Sequence, residues 1–333
     1  MMEQKLKKMP DLKFQERGMS FKKTHVIINP ASAGGKTRIR QTQIINELDK
    51  HFGNRYSIFI TQRPLDATFS VRRAIIEGSE LIIAIGGDGT IQETVNGFFF
   101  DGYLINPACQ LGIINSGTGH GFAQSLGLPS EIKKQLEVIC RGESRFIDVG
   151  RVVFSNKDGI AIERFFINEC QAGIGGEVVK CVQSKHKKFG GLIVFGLTAF
   201  SKVFSYPGHL IAATIDNSFH TMQKLIGIAI ANGKFTGGGM NLAPQAKADD
   251  GLLDILLIHE QPILQRLWNF PKIYSGQHIL SSKFSYFQGK SITLNASERV
   301  FVEADGELLG FLPCTVEVIP SALKVRVYSQ EKG

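Results

Sequence analysis

Gly86-Gly87-Asp88-Gly89-Thr90 follows an apolar run from Leu81 to Ile85 and precedes a helical pattern. Glycine lets a backbone approach a ligand closely, and the free N–H groups that open the next helix suit a phosphate. Asp88 in such a turn can hold a magnesium ion, order a lysine or bind a substrate hydroxyl. A plain β–α turn with a capping aspartate is the competing reading. Two comparable loops accompany it, Asn29-Pro30-Ala31-Ser32-Ala33-Gly34-Gly35-Lys36 and Asn115 to Gly121. Together they offer backbone N–H groups, one lysine and the hydroxyls of Ser32, Thr90, Ser116 and Thr118, a setting for a polyphosphate.

Two familiar phosphate motifs are excluded. Gly35-Lys36-Thr37 resembles the end of a Walker A loop, but Pro30 stands where its first glycine is required. Gly117-Thr118-Gly119-His120-Gly121-Phe122 approaches a dinucleotide fingerprint but ends in Phe122, and no acidic residue follows at a suitable strand end.

The elements that must position these loops read as alternating strands and helices. Strands are expected over His25 to Ile28, Tyr56 to Ile60, Leu81 to Ile85 and Leu111 to Ile114. Helices are expected over Thr37 to Phe52, Asp66 to Glu77 and Ile91 to Phe99. This is the grammar of a parallel sheet, with ligand loops at the carboxyl ends of its strands. From about Phe146 short alternating runs take over, at Arg164 to Ile167, Leu210 to Ile215, Leu225 to Ala231, Leu252 to Ile258, Ser291 to Leu294, Val300 to Val302, Thr315 to Ile319 and Lys324 to Tyr328. They predict an antiparallel sandwich, interrupted by helices around Glu177 to Val203 and Pro262 to Ile279. A cleft between two such domains is a favoured place for a site.

Composition bounds the function. The 333 residues suit two domains, and 43% hydrophobic with 20% charged residues describes a folded protein with ample core. Five cysteines are scattered without a CxxC pair, which argues against a disulfide framework or a zinc site and for a reducing compartment. The net charge of +8 fits an anionic membrane or a phosphate-rich ligand. The interleaved aromatics of a single-strand nucleic-acid platform are not evident, so a nucleic-acid partner is not expected. The N-terminus is polar and lysine-rich, with no apolar stretch of a cleavable signal after it; Met19 is a candidate start. Lys185-His186-Lys187-Lys188 leads into an apolar stretch from Phe189 to Leu197 that is too short to span a bilayer.

Taken together these motifs resemble the diacylglycerol kinase catalytic-domain family, which includes bacterial soluble diacylglycerol kinases and sphingosine and ceramide kinases. The resemblance runs from about Lys23 to Tyr328. Its elements are Val26-Ile27-Ile28-Asn29-Pro30, Gly86 to Glu93, Gly117 to Ala123, Ala248-Asp249-Asp250-Gly251-Leu252-Leu253-Asp254, and Glu303-Ala304-Asp305-Gly306-Glu307. It implies an N-terminal α/β nucleotide-binding domain of the NAD-kinase and diacylglycerol-kinase type, over residues 23–143. A C-terminal antiparallel β-sandwich domain for lipid would occupy 144–319, with a strand over 320–330 returning to the first domain and a disordered tail over 1–22.

The implied chemistry is transfer of the γ-phosphate of ATP to a lipid hydroxyl, with diacylglycerol or a sphingoid or ceramide-like lipid as acceptor. Asn29, Ser32, Thr61, Gly87, Asp88, Gly89, Thr90, Glu93 and Thr118 would bind ATP. Asp305 would be the general base, and Asp88 would anchor the network around the nucleotide and Mg²⁺. Asp250 with the backbone carbonyls of Lys247 and Leu252 would hold a structural Mg²⁺. Leu192 to Phe204 is where lipid would enter, and Lys185, Lys187 and Lys188 would each gain about 1 kcal/mol near an anionic surface. A cytoplasmic protein in peripheral contact with the membrane, and possibly a homodimer, is the expectation. Gln92 and His120 stand where relatives often carry asparagine, and Asn115-Ser116 replaces a proline-containing lead-in. Two rival readings stay open: an NAD-kinase-like enzyme with a soluble acceptor, and a non-catalytic lipid- or nucleotide-binding regulator.

Overall fold

The computed structural model describes residues 21–117, 121–155, 159–185, 198 and 200–328. Expectations placed on residues 1–20, on Thr118, His120, Lys187 and Lys188, and on 192–197 lie outside them.

The first half alternates strand and helix. Thr24–Ile28 (β1) leads to Lys36–Phe52 (α1), Tyr56–Ile60 (β2), Asp66–Ile76 (α2), Leu81–Gly86 (β3) and Asp88–Gly97 (α3). A small hairpin, Phe99–Phe100 (β4) with Tyr103–Leu104 (β5), precedes Gln110–Asn115 (β6), Gly121–Ser125 (α4) and Ile132–Arg141 (α5). β1 lies between β2 and β3, and β3 pairs with β6, all in parallel. Side chains of a strand alternate between faces. Val26, Ile28, Leu81, Ile83 and Ile114 therefore meet Ile44 and Leu48 of α1 and Leu136 and Ile139 of α5. Ile27, Ile82, Ala84, Leu111 and Ile113 meet Val71 and Ile75 of α2 and Ile91 and Val95 of α3. Cover on both faces is why these strands read as continuous apolar runs. Phe21, ahead of Lys23, is buried in the layer of α1 and α5.

The second half is mostly antiparallel. Its strands are Glu143–Ser155 (β7), Ala161–Phe166 (β8), Glu169–Gly173 (β9), His209–Ile215 (β10), Phe219–Ala231 (β11), Leu253–His259 (β12), Phe284–Gly289 (β13), Ser291–Ala296 (β14), Phe301–Ala304 (β15) and Glu307–Val327 (β16). Ile174–Lys185 (α6) follows β9 and Ile263–Ser275 (α7) follows β12. The pairings close on themselves through β16, β15, β9, β11, β10, β14 and back to β16, so the sandwich is stitched at its edges. Phe154, Phe166, Ile211, Ile228, Ile292 and Val316 are among the residues that fill its interior.

The two halves share β16. It pairs with β7 from Phe311 to Val327 and lies parallel to β6 at Lys324 and Val325. The change of texture near Phe146 thus falls in the first residues of a ribbon, β7 with β16, that spans both halves. Several sequence expectations shift in detail. α3 begins at Asp88 rather than Ile91, because Gly87 caps it in an extended conformation. β16 starts at Glu307 and runs through Pro313 rather than beginning after it; a register shift between Phe311 and Cys314 accommodates a residue with no N–H to donate. The helix expected to start at Glu177 starts at Ile174. β4, β5, α4, α5, β7, β9 and β13 were not anticipated.

Candidate active site

Parallel β1, β3 and β6 end on the same edge, so the three glycine-rich loops meet there. Asn29 Nδ2 donates to Thr90 Oγ1 at 3.0 Å, which ties the first loop to the second. Ser32 Oγ lies 2.6 Å from Thr37 Oγ1, which lies 2.7 Å from Ser116 Oγ, tying the first loop to the third. The second and third touch directly: a Cβ added to Gly117 would stand 2.6 Å from the Gly87 Cα. Only glycine permits that approach. Asp88, Gly89 and Thr90 form the first turn of α3, whose N–H groups suit an anion.

Asp305 arrives from the other half. Asp305 and Gly306 adopt φ of 48° and 84° between paired Ala304 and Glu307, a two-residue hairpin turn. Its carboxylate accepts three backbone N–H bonds: Ile167 on Oδ2 at 2.8 Å, and Asn168 and Glu169 on Oδ1 at 3.0 and 2.9 Å. That segment is held by Asn232, whose Nδ2 donates to the carbonyls of Asp148 and Ile167. Burial pushes the Asp305 carboxyl up to about 7 against those three donors, and the charge of Asp88 adds to the rise.

Two further carboxyls stand close by. Glu169 is pushed well up, first by burial and then by the charges of Glu303 and Asp305. Glu303 is raised by burial and by Asp305, although it accepts the Gly306 N–H. Glu169 also accepts the Thr236 hydroxyl.

One cavity of about 660 Å³ joins these parts. Asn29, Ser32, Gly87, Asp88, Gly89, Thr90 and Glu93 line one side, and Glu169, Glu303 and Asp305 line it as well. Val178, Val182, Ile226, Leu242, Phe270 and Phe284 supply apolar wall. Glu93 accepts the Ala67 N–H and is raised by burial. Thr61 does not join the lining; it sits past β2 with its N–H on the Ile28 carbonyl. Lys247, Asp250 and Leu252 lie outside the cavity too, in the turn before β12, where Asp250 Oδ1 accepts the Leu252 N–H at 3.1 Å. Among the described residues no three His, Cys, Asp or Glu side chains gather as a metal cluster.

Sequence reasoning missed Asn168, Glu169, Glu303 and Asn232 as site residues. Glu303 lay inside the quoted Glu303-to-Glu307 motif; the other three carried no local signal.

A glycine-loop anion cradle facing a buried aspartate across one cavity defines a phosphotransferase-type site on a kinase-like two-part fold. The chain belongs to the diacylglycerol kinase catalytic-domain family. The sequence profile of the diacylglycerol kinase catalytic domain matches residues 23–152. That of the YegS C-terminal NAD kinase beta sandwich-like domain matches residues 168–327. A diacylglycerol kinase of Staphylococcus epidermidis is 30% identical over 297 residues, 88% of each chain. One from Bacillus subtilis is 29% identical over 295 residues, 88% of this chain and 92% of that one. In fold, the chain superposes on a diacylglycerol kinase from Bacillus anthracis with a TM-score of 0.67 at 22% identity, covering 93% of this chain and 98% of that one. It superposes on yeast NADH kinase, solved with NADH, with a TM-score of 0.53 at 14% identity, covering 95% and 85%.

Proposed function

We propose that this protein is an ATP-dependent lipid kinase that transfers the γ-phosphate of ATP to a lipid hydroxyl, either that of diacylglycerol or that of a sphingoid or ceramide-like lipid. The observation that carries the reading is the continuity of one cavity from the glycine loops, past Asp305, to an apolar wall. A soluble dinucleotide acceptor would have no use for Val178, Val182, Phe270 and Phe284.

In this reading Asn29, Ser32, Thr90 and the first turn of α3 cradle the phosphates, and Glu93 closes that side. Asp305 is the general base. Its Oδ1 already accepts two N–H bonds and its Oδ2 only one, so Oδ2 keeps the capacity to take the acceptor's proton. As that proton moves, the acceptor oxygen bonds to the γ-phosphorus, the bond to the bridging oxygen breaks and ADP leaves. A carboxyl raised to about 7 is a stronger base than an ordinary aspartate and is still ionised above neutrality.

Mg²⁺ fits the donor set, since Asp88 lines the cavity beside the glycine loops as a hard oxygen donor, and its charge raises both Glu169 and Asp305. Bound among the phosphates and Asp88, it would neutralise charge on the transferring group. Asp250 with the carbonyls of Lys247 and Leu252 is likewise a hard-oxygen set suited to a structural Mg²⁺. No helix among the described residues is long and apolar enough to cross a membrane. Peripheral contact with an anionic cytoplasmic surface is the arrangement that would bring the acceptor to the cavity.

The test is transfer of labelled γ-phosphate from ATP to a lipid panel in detergent, for the wild type and Asp305→Asn. A labelled lipid that disappears in the variant supports the reading. ATP binding with Mg²⁺ but no labelled lipid would overturn it.

A further inference from the structure

α7 has two apolar sides with different neighbours. Asn269, Phe270 and Ile273 line the cavity, whereas Leu264 and Trp268, one helical turn apart, are 80% and 75% exposed. Ile263 beside them is 49% exposed. The helical residues 200–205 repeat the arrangement: Val203 lines the cavity, while Phe200 is 44% exposed. Phe200 joins the two elements through ring contacts, 4.9 Å to Phe204 and 5.9 Å to Phe270 between centroids. Arg266 fastens them, donating from α7 to the carbonyls of Val203 and Tyr206 at 3.2 and 2.6 Å. Phe200 and Phe204 thus lie on the Phe270 side of α7, while Leu264 and Trp268 stand on the side turned to solvent.

Charge says what covers this face. Neither α7 nor residues 200–205 contains an aspartate or glutamate; Lys202 is paired with Glu177 at 3.0 Å and Arg266 donates to two carbonyls, so Lys272 is the cation beside Trp268 on the exposed side. Lys272 Nζ lies 5.6 Å over the Trp268 ring. Two-fold pairing of this face with a second copy would bring Lys272 toward its own copy with no acid on either element to offset it. An anionic bilayer instead meets apolar side chains with its acyl boundary and lysines with its headgroups, and tryptophan favours that boundary.

We propose that α7 and residues 200–205 form a bilayer-docking face, with Leu264 and Trp268 inserted at the headgroup–acyl boundary of an anionic phospholipid surface. Acyl chains then pass beside Val203 and Phe270 into the cavity without crossing water. This rests on the lipid-kinase reading and adds to it the surface that meets the membrane.

Trp268 is the single tryptophan of the chain, so intrinsic emission reports on it alone. With vesicles of phosphatidylglycerol and phosphatidylcholine, emission shifts to the blue and is quenched by brominated acyl chains. Leu264→Glu weakens vesicle binding by about tenfold or more, from the free energy of burying a leucine. The same variant keeps wild-type turnover of a short-chain acceptor dissolved as monomers. Unchanged Trp268 emission while the protein cosediments with vesicles would place docking elsewhere and overturn the proposal. So would a mass in sedimentation that falls by half in Leu264→Glu, which would make the face a contact between copies. Failure of the wild type to phosphorylate the monomeric acceptor would sink the kinase reading, whereas the emission result stands independently of turnover.

Discussion

Replacing Asp305 by asparagine removes the proposed proton acceptor, and its effect on stability should change sign with pH. The folded-state carboxyl is raised from 3.8 to about 7. The native protein therefore holds a proton between those values that the unfolded chain has released, and stability falls as pH rises through that window. At about 1.36 kcal/mol per pH unit the whole loss comes to roughly 4 kcal/mol, of which about 2–3 kcal/mol falls between roughly pH 5 and pH 8. Asparagine carries none of this. It retains an oxygen for the Asn168 and Glu169 N–H groups but turns an amide N–H toward the Ile167 N–H, a pH-independent cost of about 1–3 kcal/mol. Urea unfolding should thus find the variant level with or less stable than wild type near pH 5 and more stable near pH 8. Wild-type kcat/KM should climb through about 7, and the variant should lose roughly 10²–10⁴-fold in rate. Parallel pH slopes of stability in the two proteins, or wild-type turnover flat through neutral pH, would refute a raised and reacting Asp305.

Gly117→Ala places a methyl 2.6 Å from the Gly87 Cα and must part the two loops, so titration calorimetry should show ATP binding weakened by at least about tenfold. Asn232→Ala strands the carbonyls of Asp148 and Ile167 in the interior; unfolding should be easier by about 2–4 kcal/mol, with kcat falling more than lipid KM changes because the Asp305 cradle shifts. If Asp250 holds a structural Mg²⁺, the ion should raise the thermal midpoint of the wild type, EDTA should reverse the gain, and Asp250→Ala should show neither effect.

Legibility in the sequence followed the range of the interactions. β3 and its glycine turn are contiguous in the chain, so their pattern was readable down to Asp88 and Thr90. The Asp305-Gly306 turn was readable for the same reason, since its two left-handed residues are adjacent. What makes Asp305 an unusual carboxyl was not readable, because its donors, Ile167 to Glu169, lie 136 to 138 residues away in the chain. Asn232 and Glu169 look like ordinary polar residues until the fold buries them together. The place of Thr61 was not readable either: it follows a strand of the parallel sheet, and only the fold shows that β2 is the outermost strand, one place beyond β1.

The connectivity also says which partner in the reaction must move. Asp305 sits in the turn that opens β16, and the far end of the same strand pairs with β6, whose own end carries Asn115 and the loop to Gly117. Asn232 binds β7 to the segment that cradles the carboxylate, and β7 is paired with β16 as far as Val327. Asp305 and the glycine loops are thus joined by continuous strand rather than by a hinge. A change of separation between them would break ladder hydrogen bonds, each worth about 0.5–1.5 kcal/mol. α7 and residues 200–205 meet the rest of this half through side chains instead, Ile273 packing with Ala229, Leu256 and Phe284 and Lys202 pairing with Glu177, contacts that can slide where a strand ladder cannot. The adaptable part of the cavity is therefore its lipid wall, the side on which acceptors of different shape must be admitted.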